Sequence, residues 1–523
     1  MNKLITIILI LLTINIYPQT TAEKYDRAMT AYNSQQYSTS LRLFDEFFTD
    51  YNLVDEQFAT AKYYYADALL NLNEQGAAAS GFEFIVNNFK WSAFRYKSLY
   101  KLGVIYFGEE KYDKCRDKLK QLLDEYPGNE HTGSAYYLIG ESFTRQNRLN
   151  DAISFLEEAV NNKRNNKYMD YSIYTLAATY EKTGEYEKAV KYYDQLLSFY
   201  KDSPLALSAQ IRIGVCYFEL KDYQSSILEL NNPRLTNLPP GTYSESLYLL
   251  ASSYYRVEDF DNAAKTYNEV IEGFPGSDVF RDSQYGLAWC YFQQKKYNEA
   301  YKTFNAVSSG DDSIAVKSFY WKAEAKRYAG QEEEAFQLYN QFLKKYPEHR
   351  LAKDVQYQIG GYYFNNNNYT VSESYLKTAS ASDDLSVKAK ALTMLGEISL
   401  KEEKYDEARD YFNEVTSLDT MKSESVSRAK LGLATAFYYS GDYNKAINYL
   451  KNLGETGSTV ENDKINFYMA ESYYALGQYQ NALKAYNTIN PSDSVMGDQS
   501  LYGKAYCYFN LKDFDSAAEY FSG

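Results

Sequence analysis

Apolar positions along this chain recur in one fixed order, about every 37 residues, from Ala28 to the last residue. A large residue is followed by Gly or Ala, an aromatic comes three further on, Ala nine after that, and two apolar residues four and seven later. Leu102-Gly103, Tyr106, Cys115, Leu119 and Leu122 form one copy; Leu176-Ala177, Tyr180, Ala189, Tyr193 and Leu196 form another. Spacings of three and four describe a helix with one buried face, so each copy predicts two helices and the whole chain is all-α. The small residues that anchor the first helix are Ala28, Ala66, Gly103, Gly140, Ala177, Gly214, Ala251, Ala288, Ala323, Gly360, Gly396, Ala434, Ala470 and Ala505, which makes about 14 hairpins. Turns such as Gly184-Glu185-Tyr186, Gly441-Asp442-Tyr443 and Gly477-Gln478-Tyr479 put Gly where a helix end calls for a left-handed residue. One copy is irregular. Asn231-Asn232-Pro233 and Leu238-Pro239-Pro240-Gly241 interrupt it, and proline breaks a helix by removing a donor and clashing with the preceding turn. A second helix that ends early, and a bend or exposed loop over 231–242, are expected.

The spacing is similar to that of the tetratricopeptide repeat family. That resemblance implies a right-handed superhelical solenoid over residues 23–523, in which each hairpin packs mainly on its neighbours. Several copies close with Tyr126-Pro127-Gly128-Asn129, Phe274-Pro275-Gly276-Ser277 or Tyr346-Pro347-Glu348-His349. With the long period, these linkers resemble the tetratricopeptide proteins of the bacterial cell envelope, such as the BamD-type outer-membrane assembly factors and the Tol–Pal-associated periplasmic coordinator. The resemblance implies an exported, non-catalytic adaptor. The departures are the larger number of repeats and the lack of a lipobox cysteine, so the individual roles of those proteins do not transfer. The chain stops at Phe521-Ser522-Gly523, inside the fourteenth hairpin and without the polar capping helix of a solenoid; a continuation downstream is expected.

At the other end, Lys3 precedes an apolar stretch from Leu4 to Ile16, then Pro18 and the small residues Thr20-Thr21-Ala22. This is the pattern of a cleaved signal peptide over residues 1–22, and the stretch is shorter than the roughly 20 residues a membrane span needs. The expected location is the periplasm or the periplasmic face of the outer membrane, with no span in the mature chain. The net charge of −14, from 69 Asp+Glu against 55 Lys+Arg, argues against nucleic acid, which is bound through neutralised phosphates. Cys216 and Cys290 lie two repeats apart on parallel helices, beyond the roughly 7 Å that a disulfide bridges. Cys115, Cys216, Cys290 and Cys507 are therefore expected as buried free thiols.

Candidate chemistry is sparse. The two histidines, His131 and His349, are far apart in sequence, and no nucleophile elbow, phosphate loop or metalloprotease motif occurs. No catalytic residue, cofactor or metal ligand is assigned. The resemblance implies that first helices line a concave groove. The residue three before each small residue is then a candidate for partner contact: Tyr100, Tyr137, Tyr174, Tyr248, Tyr285, Tyr320 and Tyr357. Four after the small residue comes a second aromatic series that includes Tyr32, Phe107, Phe364, Tyr438 and Phe509. Two readings of these rings stand side by side, contact with a polypeptide partner or packing between helices. Lys317, Glu324 and Arg327, with Lys390, Glu397, Lys464 and Glu471, give the face a mixed charge that favours protein over sugar. The expected function is a non-enzymatic scaffold for envelope proteins; the alternatives are a module for glycan or peptidoglycan, or an array that positions a downstream effector.

Overall fold

The computed structural model describes residues 20–418, 424–455, 462–489 and 496–522. Nearly all of the segment read as a signal peptide lies outside the described residues. Among these residues there are twenty-eight α-helices and no strand, and consecutive helices pair into fourteen antiparallel hairpins. The expected all-α array of hairpins is what forms. The residues divide into two compact units at Val279 and Phe280, with seven hairpins in each. No helix among the described residues is long and apolar enough to cross a membrane.

The small residues work as the sequence implies. A Cβ placed on Gly140 would lie 2.6 Å from Leu156 Cγ, and one on Gly103 would lie 2.3 Å from Leu119 Cδ2. Gly214 and Gly360 meet Leu230 and Leu376 in the same way, each sixteen residues on. The two helices of a hairpin thus touch backbone to side chain, a separation only a missing side chain permits. Where Ala of the second helix is replaced by Ser, the hydroxyl crosses to the same place: Ser40, Ser226 and Ser372 donate to the carbonyls of Ala28, Gly214 and Gly360 at 3.0, 2.9 and 2.7 Å. These buried hydroxyls are satisfied without disturbing the close approach.

Each hairpin turn contains one left-handed residue, seven after the small residue. Gly184, Gly330, Gly441 and Gly477 fill four of the fourteen sites, with φ between 71 and 81°. The other ten are Gln35, Asn73, Glu110, Asn147, Lys221, Glu258, Lys295, Asn367, Glu403 and Lys512, with φ between 57 and 66°. The second helix then opens on an aromatic in most hairpins, as at Tyr112, Tyr223 and Phe260.

The irregular sixth hairpin departs partly from expectation. Its second helix, Tyr223–Leu230, is short and ends where Asn231-Asn232-Pro233 begins. The segment beyond is not a plain exposed loop. Pro233–Asn237 forms a 3-10 helix, capped by the Asn232 side chain, and Leu235 is buried. Pro240 then opens the next helix, Pro240–Arg256, at a position where no donor is missed.

All four cysteines are buried and free, as the register requires. Burial pushes the thiols up, Cys216 to about 11 and Cys115, Cys290 and Cys507 to about 12.

Candidate partner-binding face

Within each unit, most successive first helices pack against one another as well as against their own partners; second helices show no comparable pairing among the described residues. The first helices are therefore on the tighter, inner side of each unit. Any groove the units offer is built from them.

Of the seven candidate tyrosines, Tyr100, Tyr137, Tyr174 and Tyr248 belong to the first unit, and Tyr285, Tyr320 and Tyr357 to the second. Tyr100, Tyr137 and Tyr320 are buried, with 4, 8 and 8 % of their surface exposed; the other four are half-buried. Their rings meet neighbours at close range. Tyr100 stacks on His131 with 4.0 Å between ring centres, and Tyr137 lies 5.1 Å from Tyr168. Tyr174, Tyr248 and Tyr285 each face the aromatic of their own second helix, Tyr193, Tyr267 and Phe304, at 5.5 to 5.9 Å. The second aromatic series folds back across its own turn, as Phe107 does onto Tyr112 at 5.8 Å and Phe364 onto Tyr369 at 5.7 Å. Each of these rings packs against neighbouring side chains.

A ladder of carboxylates, one residue after the small residue, is the other component of this face: Asp67, Glu141, Glu324, Glu397 and Glu471. All are charge-paired or hydrogen-bonded. Asp67 takes Lys101 of the next hairpin at 2.5 Å, and Glu397 takes Arg428 of the next at 2.5 Å. Glu324 binds Arg327 at 2.7 Å and accepts the Tyr339 hydroxyl, which is buried beneath it. Glu471 accepts from Tyr438 of the preceding hairpin at 3.3 Å and from Tyr486 of its own. Burial and the adjacent carboxylates hold Tyr339 and Tyr486 far above the ordinary tyrosine range. Burial disfavours the Arg428 charge, but Glu397 outweighs it and raises the guanidinium above its usual value. The pairs of Asp67, Glu397 and Glu471 join hairpin to hairpin, and those of Glu141 and Glu324 stay within their own.

In the second unit this face opens. A cleft of about 850 Å³ lies over the first helices Leu385–Lys401, Glu424–Tyr439 and Asn462–Ala475, and its lining includes Glu397, Arg428, Lys464, Tyr439 and Tyr468. A second cleft of about 640 Å³ shares Tyr439 and Tyr468 with it and continues to Tyr502 and Tyr506. Each has a glycine in its lining, Gly432 and Gly503, two before a small residue; the corresponding position is Trp321 in one hairpin and Tyr468 in another. A Cβ on Gly432 would strike the Phe412 ring at 2.4 Å, and one on Gly503 would strike Tyr486 at 2.3 Å. Neither cleft was legible from the aromatic pattern, although Phe364, Tyr438, Phe467, Tyr474 and Tyr502 of that pattern do line them. The signal was the pair of extra glycines. In the first unit, the irregular segment after Leu230 borders a smaller cleft of about 390 Å³. Among the described residues no group of three His, Cys, Asp or Glu side chains is placed to hold a metal ion.

A tetratricopeptide repeat profile matches residues 174–232, 248–313, 357–420, 431–495 and 469–523, which is more than half of the chain. Two further tetratricopeptide repeat profiles match residues 95–165 and 317–349. The chain belongs to the tetratricopeptide repeat family. Proteins of this family bind protein partners, and the fold is in general a non-enzymatic interaction scaffold. No curated protein matches the sequence. Among solved structures, a tetratricopeptide repeat protein from Parabacteroides merdae is 18 % identical, with half of this chain aligned to 96 % of that one and a TM-score of 0.33. The tetratricopeptide domain of P58(IPK) is 14 % identical over 87 % of this chain and 98 % of its own, with a TM-score of 0.30. Naa15/Naa10 bound to HypK-THB gives 14 % identity over 96 % of this chain and 80 % of that chain, with a TM-score of 0.36.

Proposed function

We propose that this protein is an exported scaffold of the bacterial cell envelope that holds polypeptide partners along the inner face of its second unit, without catalysing a reaction. The observation that carries the reading is the pair of adjoining clefts that share Tyr439 and Tyr468. Together they are larger than a small-molecule site of about 300–1,000 Å³, open to solvent, and lined by tyrosines beside the Glu397–Arg428 ion pair. A peptide supplies both apolar and charged groups, and tyrosine offers contact area at low entropic cost. The Glu397–Arg428 pair and Lys464 favour a polypeptide over a sugar chain, which would stack on bare rings. Export, and the resemblance to the BamD-type and Tol–Pal-associated proteins, rest on the Lys3, Leu4–Ile16 and Thr20-Thr21-Ala22 pattern and on the long period with its Pro-containing linkers.

The binding test uses Tyr439→Ala with Tyr502→Ala. Both side chains are at least half exposed, at 51 and 60 %, so the fold should be retained. Partner capture from an envelope fraction should fall by tenfold or more, since aromatic anchors often contribute 2 kcal/mol or more to an interface. Unchanged capture would remove the clefts from the binding surface. Co-sedimentation with purified peptidoglycan in place of protein capture would transfer the site to the glycan reading. Amino-terminal sequencing of the mature chain from fractionated cells tests export; a cytoplasmic chain that keeps Met1 would refute it.

A further inference from the structure

The second cleft of the inner face is almost without charge. Among the described residues that line it, seven are tyrosines and Glu471 is the one charged group. Glu471 is half-buried and accepts two hydroxyls, from Tyr438 at 3.3 Å and from Tyr486. A carboxylate has about four lone-pair sites, so about two stay open toward the cleft. Elsewhere in the chain the same arrangement is completed by arginine. Glu324 accepts the hydroxyl of Tyr339, fifteen residues on as Tyr486 is from Glu471, and also takes Arg327 Nε and Nη2 at 3.2 and 2.7 Å. Glu181 accepts from Tyr193 at 3.0 Å and from Arg212 Nε at 2.9 Å. The other carboxylates of the ladder, Asp67, Glu141 and Glu397, pair with Lys101, Arg145 and Arg428. Among the described residues Glu471 forms no such pair, and Lys464 of its own helix lines the first cleft and not the second.

The register shows where the missing base would have come from. Lys101 and Arg212 stand two before the small residue of the next hairpin, and Arg428 stands six before it. Arg327 and Arg145 stand three and four after the carboxylate on its own helix. Around Glu471 those four positions hold Gly503, Gln499, Tyr474 and Ala475. The stretches 456–461 and 490–495, outside the described residues, contain no Lys or Arg either. The glycine that opens the cleft is thus also the residue that withholds the cation. We propose that this cleft takes an arginine side chain of a partner polypeptide, its guanidinium paired with Glu471 and laid against the surrounding tyrosine rings. This rests on the polypeptide reading of the clefts and names the group recognised. A guanidinium donates two parallel N–H groups to a carboxylate, and its flat face stacks on aromatic rings. Tyr439, Tyr502 and Tyr506 are exposed and offer such rings. A half-buried carboxylate without a counter-charge is costly, and an arriving cation relieves that cost. The net charge of −14 draws a basic segment to the chain over longer range.

The test uses the full chain and a short fluorescein-labelled peptide of alternating arginine and serine with blocked ends, read by anisotropy. Two further peptides carry lysine or citrulline, the neutral isostere, in place of arginine. Glu471→Gln removes the charge and keeps an acceptor for Tyr438 and Tyr486. Tyr474→Arg rebuilds the arrangement of Glu324 with Arg327 and fills the carboxylate from within. Glu299→Gln changes the net charge equally at an exposed site on a second helix, outside the clefts. The arginine peptide should bind the parent and Glu299→Gln alike, and tenfold or more weaker in Glu471→Gln and in Tyr474→Arg. Citrulline should lose tenfold or more on the parent, and lysine severalfold. Equal losses in all three variants, a citrulline or lysine peptide that matches arginine, or no binding by the parent overturns the proposal. Partner capture from an envelope fraction separates it from the reading beneath it. Capture that falls with Tyr439→Ala and Tyr502→Ala but not with Glu471→Gln overturns the arginine site and leaves the scaffold; capture indifferent to all of them removes both.

Discussion

Gly360 and Gly361 are neighbours on the helix Ala352–Asn365 and face opposite surroundings. A Cβ on Gly360 would lie 2.7 and 2.8 Å from Leu376 Cγ and Cδ2, whereas the nearest atom to one on Gly361 is Met394 Cε at 3.9 Å. Gly→Ala in a helix interior gains about 0.8–1.0 kcal/mol through backbone entropy, and that gain is the same at both sites. At Gly361 nothing opposes it, so Gly361→Ala should stabilise by about 0.5–1 kcal/mol. At Gly360 the methyl needs about 1 Å of room that Leu376, fully buried, can yield only by moving the second helix. Overpacking of this kind costs about 1–3 kcal/mol. The difference between the two variants cancels propensity and isolates the close approach, which should measure about 1–3 kcal/mol. Denaturant unfolding followed by circular dichroism gives the comparison, with hydrogen exchange over residues 352–379 as a local readout, since hairpins in an array lose stability by neighbourhood. If both alanines stabilise alike, the backbone-to-leucine contact is absent and the explanation of the small residue fails in every hairpin that uses glycine.

Glu258→Gly should stabilise by roughly 0.5–1 kcal/mol, because Glu258 holds φ at 63° against the left-handed penalty that glycine escapes; an unchanged or lowered midpoint would refute the strain. Lys322 is buried, with Asn305 and Ser308 oxygens at 3.2 and 3.3 Å from its ammonium, the Phe319 ring centre at 3.8 Å and, among the described residues, no carboxylate hydrogen-bonded to it, and burial, then Lys345, lowers its pKa. The unfolded chain then binds the proton more tightly, so this group makes stability rise with pH from its lowered pKa up to the ordinary value of about 10.4. Lys322→Met should abolish that rise relative to the parent and stabilise at neutral pH, as urea titrations at pH 7 and pH 10 would show; a parallel pH dependence in both proteins would contradict it. The four buried thiols should resist an aromatic disulfide reagent at pH 8 until denaturant is added, and rapid labelling of the native protein would place at least one at the surface.

The hairpins were legible because one register serves three purposes at once. Gly140, Ala152 and Leu156 are close contact, clearance and seal, and a pattern satisfied fourteen times leaves little room for another fold. The turn at Gly441 was readable since glycine announces a left-handed residue, while the same conformation at Lys221 or Glu403 was not, because tertiary packing imposes it on residues that do not prefer it. The buried segment around Leu235 escaped notice for a related reason: prolines signal the end of a helix and not what the chain does next. The candidate face was legible only as a position. Sequence spacing puts Tyr100 and Tyr137 on the inner side but does not tell how deep they lie, since depth depends on the neighbouring hairpin, where His131 and Tyr168 cover them. The clefts over Gly432 and Gly503 depend on side chains that are missing, and an absence is harder to read than a motif.

The contact sixteen residues beyond each small residue also governs how such a chain can change over time. Where that small residue is Gly the sealing side chain is Leu in four hairpins of five, and where it is Ala the seal is Phe or Tyr in eight of nine. Volume is balanced mainly inside the hairpin, with Phe412 and Tyr486 as exceptions that also need Gly432 and Gly503 of the hairpin that follows. A whole hairpin can therefore be duplicated, deleted or moved to another place in the array with its internal fit intact, while exchange of a single helix brings together a glycine and an aromatic, or an alanine and a leucine, that were never matched. The nearly constant length of the hairpins is in keeping with where the fit is made.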